Sequence, residues 1–561
     1  MALARTHAMA LVGVRAHLVE IEADIENGLV ALLLVGLPDT ALREARDRIR
    51  SAIVNSGEAW PQRRITVGLS PASLPKRGSG FDLGLAAAIM AAAGAVPADR
   101  LSGMVFLGEL GLDGRVRAVP GVLPAAAAAA EAGFQAIAVP PENVGEATLV
   151  PGLRVLSTPT LGALLAWLRG KQPSAASATA AAAVGSAAGG VAGTAASSAP
   201  GAGAGKAAVA EMVEPGAVPA ALRAASPAAS AASTAAESAA GHGRDLADVI
   251  GQPMARRAVE ICAAGGHHLL LLGPPGVGKT MLAERLPTIL PPLELAAALE
   301  VSSIHSVAGT LPPGRPLMTE PPFCAPHHTA TKAAIVGGGS GVIRPGAASL
   351  AHHGCLFLDE APEFGRDVLD ALRQPLESGE VIIARSGLTA VFPARFTLVL
   401  AANPCPCARA STVGSTCTCT PMVRRRYLAR LSGPLLDRVD VKVELLPVGR
   451  TELLSDRQFA EPSAVVAARV GEARLRAARR LRGTRWRLNA EIPGAELRRT
   501  FRPAPGALAP LERALDLGEI SARGVDRIVR LSWTLADLAG VHQPGTPEIG
   551  YALGLWLGVG Q

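Results

Sequence analysis

The chain has 561 residues, 54 Lys+Arg against 47 Asp+Glu for a net charge of +7, and is 49% hydrophobic but only 3% aromatic. At roughly 150 residues per domain that length predicts three or four domains, which excludes a single small module. Alanine supplies much of the apolar fraction and buries little area per residue. The longest strongly apolar run, Leu29 to Val35, falls far short of the roughly 18 to 20 residues of a spanning helix, so no membrane association is expected. No charged-then-apolar leader opens the chain, and seven cysteines without one argue for a reducing compartment. The expected location is the cytoplasm.

Residues 1–171 alternate β-rich runs (Leu29 to Val35, Arg64 to Leu69, Met104 to Leu107, Ala136 to Val139) with helical stretches (Thr40 to Ser56, Phe81 to Ala93, Pro124 to Ala132). This alternation predicts an α/β or α+β domain. From Gln172 to Gly243 the sequence collapses into Ala, Gly, Ser, Pro and Thr. Such a segment cannot offset its ordering entropy, and 172–243 is expected to be a linker. Residues 244–446 carry a strand-loop-helix pattern, and 447–561 form an arginine-rich helical region. Between Val441 and Gln561 stand 18 basic and 13 acidic residues, a net of +5 that points weakly to a polyanion partner.

The strand His268 to Leu272 runs into Gly273, Pro274, Pro275, Gly276, Val277, Gly278, Lys279 and Thr280, and a helix begins at Met281. This is the phosphate-binding loop in its required context. Its glycines let backbone N–H groups face phosphates, Lys279 supplies a point charge to the β and γ phosphates, and Thr280 offers a hydroxyl to Mg²⁺. Lys279 is one of six lysines in a chain that otherwise uses arginine.

A second apolar strand, Cys355 to Leu358, ends in Asp359-Glu360. Carboxylates at the end of a buried strand are costly unless they meet a cation or a reacting water. Asp359 is expected to hold Mg²⁺ and Glu360 to polarise the attacking water. A third strand, Phe396 to Ala401, ends near Asn403, a candidate sensor of the γ phosphate. In Leu435 to Asp440, Arg438 sits beside two carboxylates, either as a local ion pair or as a catalytic arginine.

Cys405, Cys407, Cys417 and Cys419 form two C-x-C pairs separated by nine residues. Four thiolates in a reducing compartment make a candidate tetrahedral Zn²⁺ site; free thiols and a redox-switched disulfide are the alternatives. Eight arginines between Arg469 and Arg487 either track DNA phosphates or form a solvated or inter-subunit face.

The order of these motifs resembles the AAA+ ATPases, and the closer resemblance is to the magnesium-chelatase-like ATPases of the ComM/YifB family. It is carried by Pro321 to Gly339 (PPFCAPHHTATKAAIVGGG), Arg344 to Glu360, the AANPCPC segment and LSGPLLDRVD, and towards the N-terminus by Val35 to Arg50, Arg63 to Ala72 and Gly78 to Leu83. The resemblance implies an N-terminal Lon-protease-like α+β domain of the ribosomal S5 domain 2 type (1–171), an AAA+ P-loop α/β domain (244–446) and a helical lid domain (447–561). It also implies a hexameric, ATP-driven motor on DNA, a branch-migration helicase of recombination or natural transformation working with recombination proteins. A motor that remodels a partner protein and a scaffold that uses ATP only to assemble are the alternatives. In this superfamily Arg438 would reach into the neighbouring subunit's site, and Arg523, ahead of Arg527, would be the second sensor.

His327, His328, Thr329 and Lys332 lie in an insert that could line a ring's pore and contact phosphates; alternatively the histidines are a buried bracing pair. No aromatic pore residue is present, which leans away from polypeptide substrates. Laid beside Lon proteases, Pro75 to Asp82 and Gly108 to Leu123 put Gly80 where the serine nucleophile would be and Leu123 where its lysine base would be. Residues 1–171 are therefore expected to be proteolytically inactive.

Overall fold

In a computed structural model of the chain, which describes residues 2–36, 40–76, 78–170, 209–213, 243–312, 314–339, 343–385, 388–407, 417–449, 456 and 460–558, the N-terminus is a long antiparallel hairpin. Ala2–Val12 pairs with Arg15–Glu26 in unbroken register from Ala2 opposite Ile25 to Val12 opposite Arg15. Side chains alternate faces along a strand. Val19, Ile21 and Ala23 accordingly enter the core, while Glu20, Glu22 and Asp24 take the other face.

The chain divides into two units, one of residues 1–217 with 306–316, the other of residues 218–305 with 317–561. In the first, eight strands form one mixed sheet in the order 211–213, 154–157, 136–139, 104–106, 2–12, 15–26, 64–70, 31–35. Helix Asp82–Ala92 is buried along its whole length in the core. Its one charged residue, Asp82, is met by the Arg48 guanidinium at 2.9 Å and by the Leu110 N–H at 3.3 Å.

The four strands and three helices expected from the sequence are present as 31–35, 64–70, 104–106, 136–139, 40–55, 82–92 and 122–131. The expected linker contains a strand: Glu211–Val213 pairs antiparallel with Arg154–Ser157 at the sheet edge, with Ala210 buried beside it. Most of the rest of 172–243 lies outside the described residues.

A Cβ built on Gly80 would meet only Val119 Cγ1, at 4.0 Å, and Leu123 is a buried apolar side chain. The neighbouring Ser79 hydroxyl donates to the Glu109 carboxylate. Lys76, fully buried, spends its ammonium on the carbonyls of Pro71, Leu74 and Gly36.

The second unit is built on a five-stranded parallel sheet in the order 323–324, 355–358, 397–402, 269–272, 441–444. Strands buried on both faces read as continuous apolar runs, which is why Leu269–Leu272, Cys355–Leu358 and Thr397–Ala402 stand out in the sequence. The order places the phosphate-loop strand beside the 397–402 strand, with 355–358 next, so three loops open at the same strand ends. This mixed α/β architecture with its parallel sheet fits the AAA+ class. C-terminal helices 463–480, 494–499, 509–516, 522–539 and 546–557 share one apolar cluster with the sheet, in which Leu269, Leu271, Val441 and Val443 join Val470, Ile528, Trp533 and Ile549. Among the described residues no helix is long and apolar enough to cross a membrane.

Candidate nucleotide site

The loop 273–278 turns from strand 269–272 into helix Lys279–Arg285, and two glycines make the turn possible. Gly278 caps the helix at φ +93°, a left-handed conformation that side chains resist. Gly273 packs so tightly that a Cβ there would stand 2.7 Å from the Leu445 carbonyl oxygen. Overpacking of this kind costs about 1–3 kcal/mol. Gly273→Ala is therefore expected to weaken MgATP binding roughly 10- to 100-fold, measured by isothermal titration.

Lys279 is buried, with its Nζ 2.6 Å from the Gly273 carbonyl, 2.9 Å from that of Pro274 and 2.9 Å from Asn403 Oδ1. Burial lowers its pKa, while Asp359 and Glu360 act in the opposite sense. Thr280 Oγ1 donates to Asp359 Oδ2 at 2.7 Å. Lys279, Thr280, Asp359 and Asn403, drawn from three strands, thus join in two linked contacts at one end of the sheet. A hydroxyl and a carboxylate side by side are the hard oxygen donors that Mg²⁺ prefers.

Glu360 follows directly and departs from the strand with φ +50°, uncommon for a residue with a side chain. Its carboxylate is half exposed and lies 3.5 Å from His328 Nδ1. The His328 ring lies tilted against His327 with centroids 4.1 Å apart, and His327 bonds Thr329 Oγ1 at 2.9 Å. His327, Thr329 and Lys332 are exposed and His328 is half-buried, so the insert does not bury a bracing histidine pair.

Arg438 lies apart from these residues in its contacts. It is 7% exposed, pairs with Glu377 and donates to the Pro434 carbonyl. Arg523, itself exposed, reaches the same Glu377 carboxylate at 3.2 Å. Arg527 instead pairs with buried Asp440 at 2.6 Å and donates to the Arg438 carbonyl at 2.8 Å. Arg438 thus pairs with neither of the two carboxylates beside it in the sequence: Asp440 goes to Arg527, and Glu377, which carries no motif signal, takes Arg438.

Asp440 also accepts from His267 Nδ1 at 3.3 Å, and His267 Nε2 meets Thr534 Oγ1 at 2.7 Å. Asn489 bonds Thr534 and Asp537, and Arg480 grips Asp537 with two bonds of 2.6 and 2.7 Å. These buried contacts tie the start of strand 441–444 to the C-terminal helices.

The arginine stripe between 469 and 487 turns out to be mostly internal. Arg469 binds Glu260 and Glu461, Arg474 the Ala263 carbonyl, Arg476 the Asp537 carbonyl, Arg480 the Asp537 carboxylate and Arg487 Glu294. Only Arg479, Arg482 and Arg485 of the eight are exposed without a carboxylate partner among the described residues. The four cysteines Cys405, Cys407, Cys417 and Cys419 come together with their sulfurs within 4.8 Å of one another.

Comparisons with known proteins agree along the length of the chain. Residues 245–453 match the family model described as magnesium chelatase, subunit ChlI; residues 21–143 match subunit ChlI of Mg-chelatase; and residues 460–555 match the ChlI C-terminal family. An uncharacterized protein of Mycobacterium tuberculosis is 49% identical over 99% of this chain and 98% of its own length. The competence protein ComM of Haemophilus influenzae is 39% identical over 99% and 97%. The uncharacterized protein YifB of Escherichia coli is 38% identical over 96% and 94%.

Proposed function

Because the chain belongs to the ComM/YifB family of magnesium-chelatase-like AAA+ ATPases, we propose that it is a cytoplasmic hexamer that couples ATP hydrolysis to the remodelling of DNA. Its role is that of a branch-migration helicase in recombination or natural transformation, alongside recombination proteins. The observation that carries the ATPase reading is the pair of contacts Lys279 to Asn403 and Thr280 to Asp359.

In this reading Lys279 and Asn403 turn from each other to the γ phosphate, and the N–H groups of 273–280 cradle the phosphates. Thr280 and Asp359 hold Mg²⁺, which neutralises charge on the phosphates. Glu360 orients and polarises the attacking water. Arg438 stabilises the transition state in the neighbouring subunit's site, for which it must leave Glu377. Arg523, freed from the same carboxylate, senses the nucleotide in its own subunit. The four cysteines hold one structural Zn²⁺, and the 1–171 region acts as a proteolytically inactive Lon-like scaffold.

Two features favour DNA over a partner protein. The exposed insert residues His327, Thr329 and Lys332 are polar or basic rather than aromatic, and a relative of almost the same length is named as a competence protein. The test is the ATPase rate with and without single-stranded and forked DNA at fixed salt, with Glu360→Gln as the blank. We expect strong stimulation that fades as salt rises, because phosphate contacts release counterions. A rate unchanged by any DNA would overturn the DNA substrate and favour the motor on a partner protein.

A further inference from the structure

The ATPase chemistry leaves the stretch just past Asn403 without a role. Cys405 Sγ lies 3.1 Å from Cys407 Sγ and 3.3 Å from Cys417 Sγ, and Cys407 and Cys417 are 3.4 Å apart. All four sulfurs, Cys419 included, fall within 4.8 Å of one another, and all four thiols are free. A tetrahedron of Zn–S bonds of about 2.3 Å sets its sulfurs about 3.8 Å apart, so the cluster needs only a small outward adjustment to enclose the ion. Four thiolates with Cys405 fully buried make a closed site.

Both flanks of the cluster are anchored. Upstream, Asn403 accepts from Lys279. Downstream, the Thr420 hydroxyl caps helix Pro421–Leu428 by accepting from the Val423 N–H. The inner side of that helix faces the hydrolytic turn. Tyr427 is buried, and its hydroxyl is pushed up to about 12 by burial and then by Glu363 and Glu360. Arg430, just beyond, binds Glu363 at 2.8 Å and the Pro362 carbonyl at 3.1 Å, three and two residues past Glu360.

The rest of the helix is exposed and basic. Met422 is 77% exposed, and the side chains of Arg424, Arg425 and Arg426 are exposed and make no hydrogen bond or ion pair among the described residues. Three consecutive exposed arginines fan out around the helix and concentrate positive charge there, which an anion laid along it neutralises. They differ in this from the arginines of 469–487, most of which are already spent on internal partners.

We propose that Cys405, Cys407, Cys417 and Cys419 hold a Zn²⁺ that fastens helix 421–428 to the end of the sensor strand, and that the fastened helix presents Arg424, Arg425 and Arg426 to the phosphate backbone of a nucleic acid. The proposal rests on the Zn²⁺ and DNA readings above and deepens them. It names where the backbone is gripped, and the Arg430–Glu363 pair gives the grip a mechanical route to the turn that carries Glu360.

The test uses the full-length chain in two measurements. Elemental analysis of the purified wild type is expected to find about one zinc per chain, lost in the Cys417→Ser/Cys419→Ser variant. A wild type purified without chelator and free of zinc overturns the fastener. In the second, binding of fluorescein-labelled oligo-dT is followed by anisotropy across a salt series for wild type and for Arg424→Ala/Arg425→Ala/Arg426→Ala. Each lost phosphate contact on a single strand lowers the slope of log K against log salt by about 0.7. The triple variant should therefore lose roughly 2 from the slope while keeping its zinc and its unfolding midpoint. An unchanged slope in that folded variant overturns the phosphate role and leaves the DNA reading standing. A wild type that binds no DNA at any salt overturns both.

Discussion

Glu360→Gln is expected to lower steady-state ATP turnover about 10²- to 10⁴-fold, the usual worth of a general base, while MgATP remains bound. Glu360 sits two residues past the buried strand 355–358, where its left-handed backbone turns the chain away and leaves the carboxylate half exposed. Asp359 points instead to Thr280. The two acids are thus separated by one peptide: the first is bonded to the Thr280 hydroxyl, the second keeps a half-exposed carboxylate. Glutamine keeps the volume of Glu360 and can still accept from His328, but it carries no charge and takes up no proton from the attacking water. Nucleotide affinity from a fluorescent ATP analogue and turnover from phosphate release should therefore part company in this variant. Turnover retained at the wild-type rate would remove Glu360 from the chemistry.

Asp440→Asn is expected to cost about 3–5 kcal/mol of stability in the C-terminal unit, the penalty for removing one partner of a buried ion pair. Burial alone would raise the Asp440 carboxyl, but Arg527, His267 and His268 hold it well below the ordinary carboxylate range. The substitution leaves the Arg527 guanidinium, whose Nε already lacks a partner, facing a neutral amide. Because Arg527 also holds the Arg438 carbonyl and His267 holds Thr534, the loss spreads to the C-terminal helices. Asp437→Asn, three residues earlier at an exposed position, should change stability by no more than about 0.5 kcal/mol. Denaturant unfolding followed by hydrogen exchange in helix 522–539 distinguishes the two. The pH dependence has a definite sign: a carboxylate with a depressed folded pKa stabilises above its unfolded value and loses that contribution as pH falls. The gap between wild type and Asp440→Asn should be full near neutrality and shrink as pH drops below the ordinary value of 3.8.

The strands that position the nucleotide site could be read from the sequence because parallel strands buried on both faces are written as unbroken apolar runs. The N-terminal hairpin could not be found that way. Its strands face the core on one side only, and the alternation in Val19 to Glu26 interleaves three glutamates and an aspartate with the buried residues, so a search for apolar runs passes over it; a period-two search finds it. The strand Glu211–Val213 was hidden differently, as three residues inside a tract whose composition argues for a linker. At the site, Lys279, Thr280, Asp359 and Asn403 were available as motif positions because the chemistry fixes residue type and spacing. Glu377 and Thr534 were not, because a partner supplied by a distant element leaves no local pattern: Glu377 meets Arg438 across 61 residues and Thr534 meets His267 across 267. The arginine stripe misled in the other direction, since helical spacing of charges does not say whether their partners are solvent, phosphate or carbonyl groups of the same chain.

The first unit is assembled from chain that is not contiguous. Its sheet takes its last strand from 211–213, and residues 306–316 belong to it as well. There the Ser306 hydroxyl donates to the buried Glu146 carboxylate at 2.5 Å, and the Ser306 carbonyl accepts from the Gly121 N–H at 3.0 Å. Burial raises the Glu146 pKa, while Ser306, Asn143 and the Leu123 N–H bond to it and pull it down. A gene fragment ending at residue 171 would therefore encode a body with an uncovered sheet edge and a buried acid short of one donor. The first unit is thus complete only when the chain through residue 316 is present.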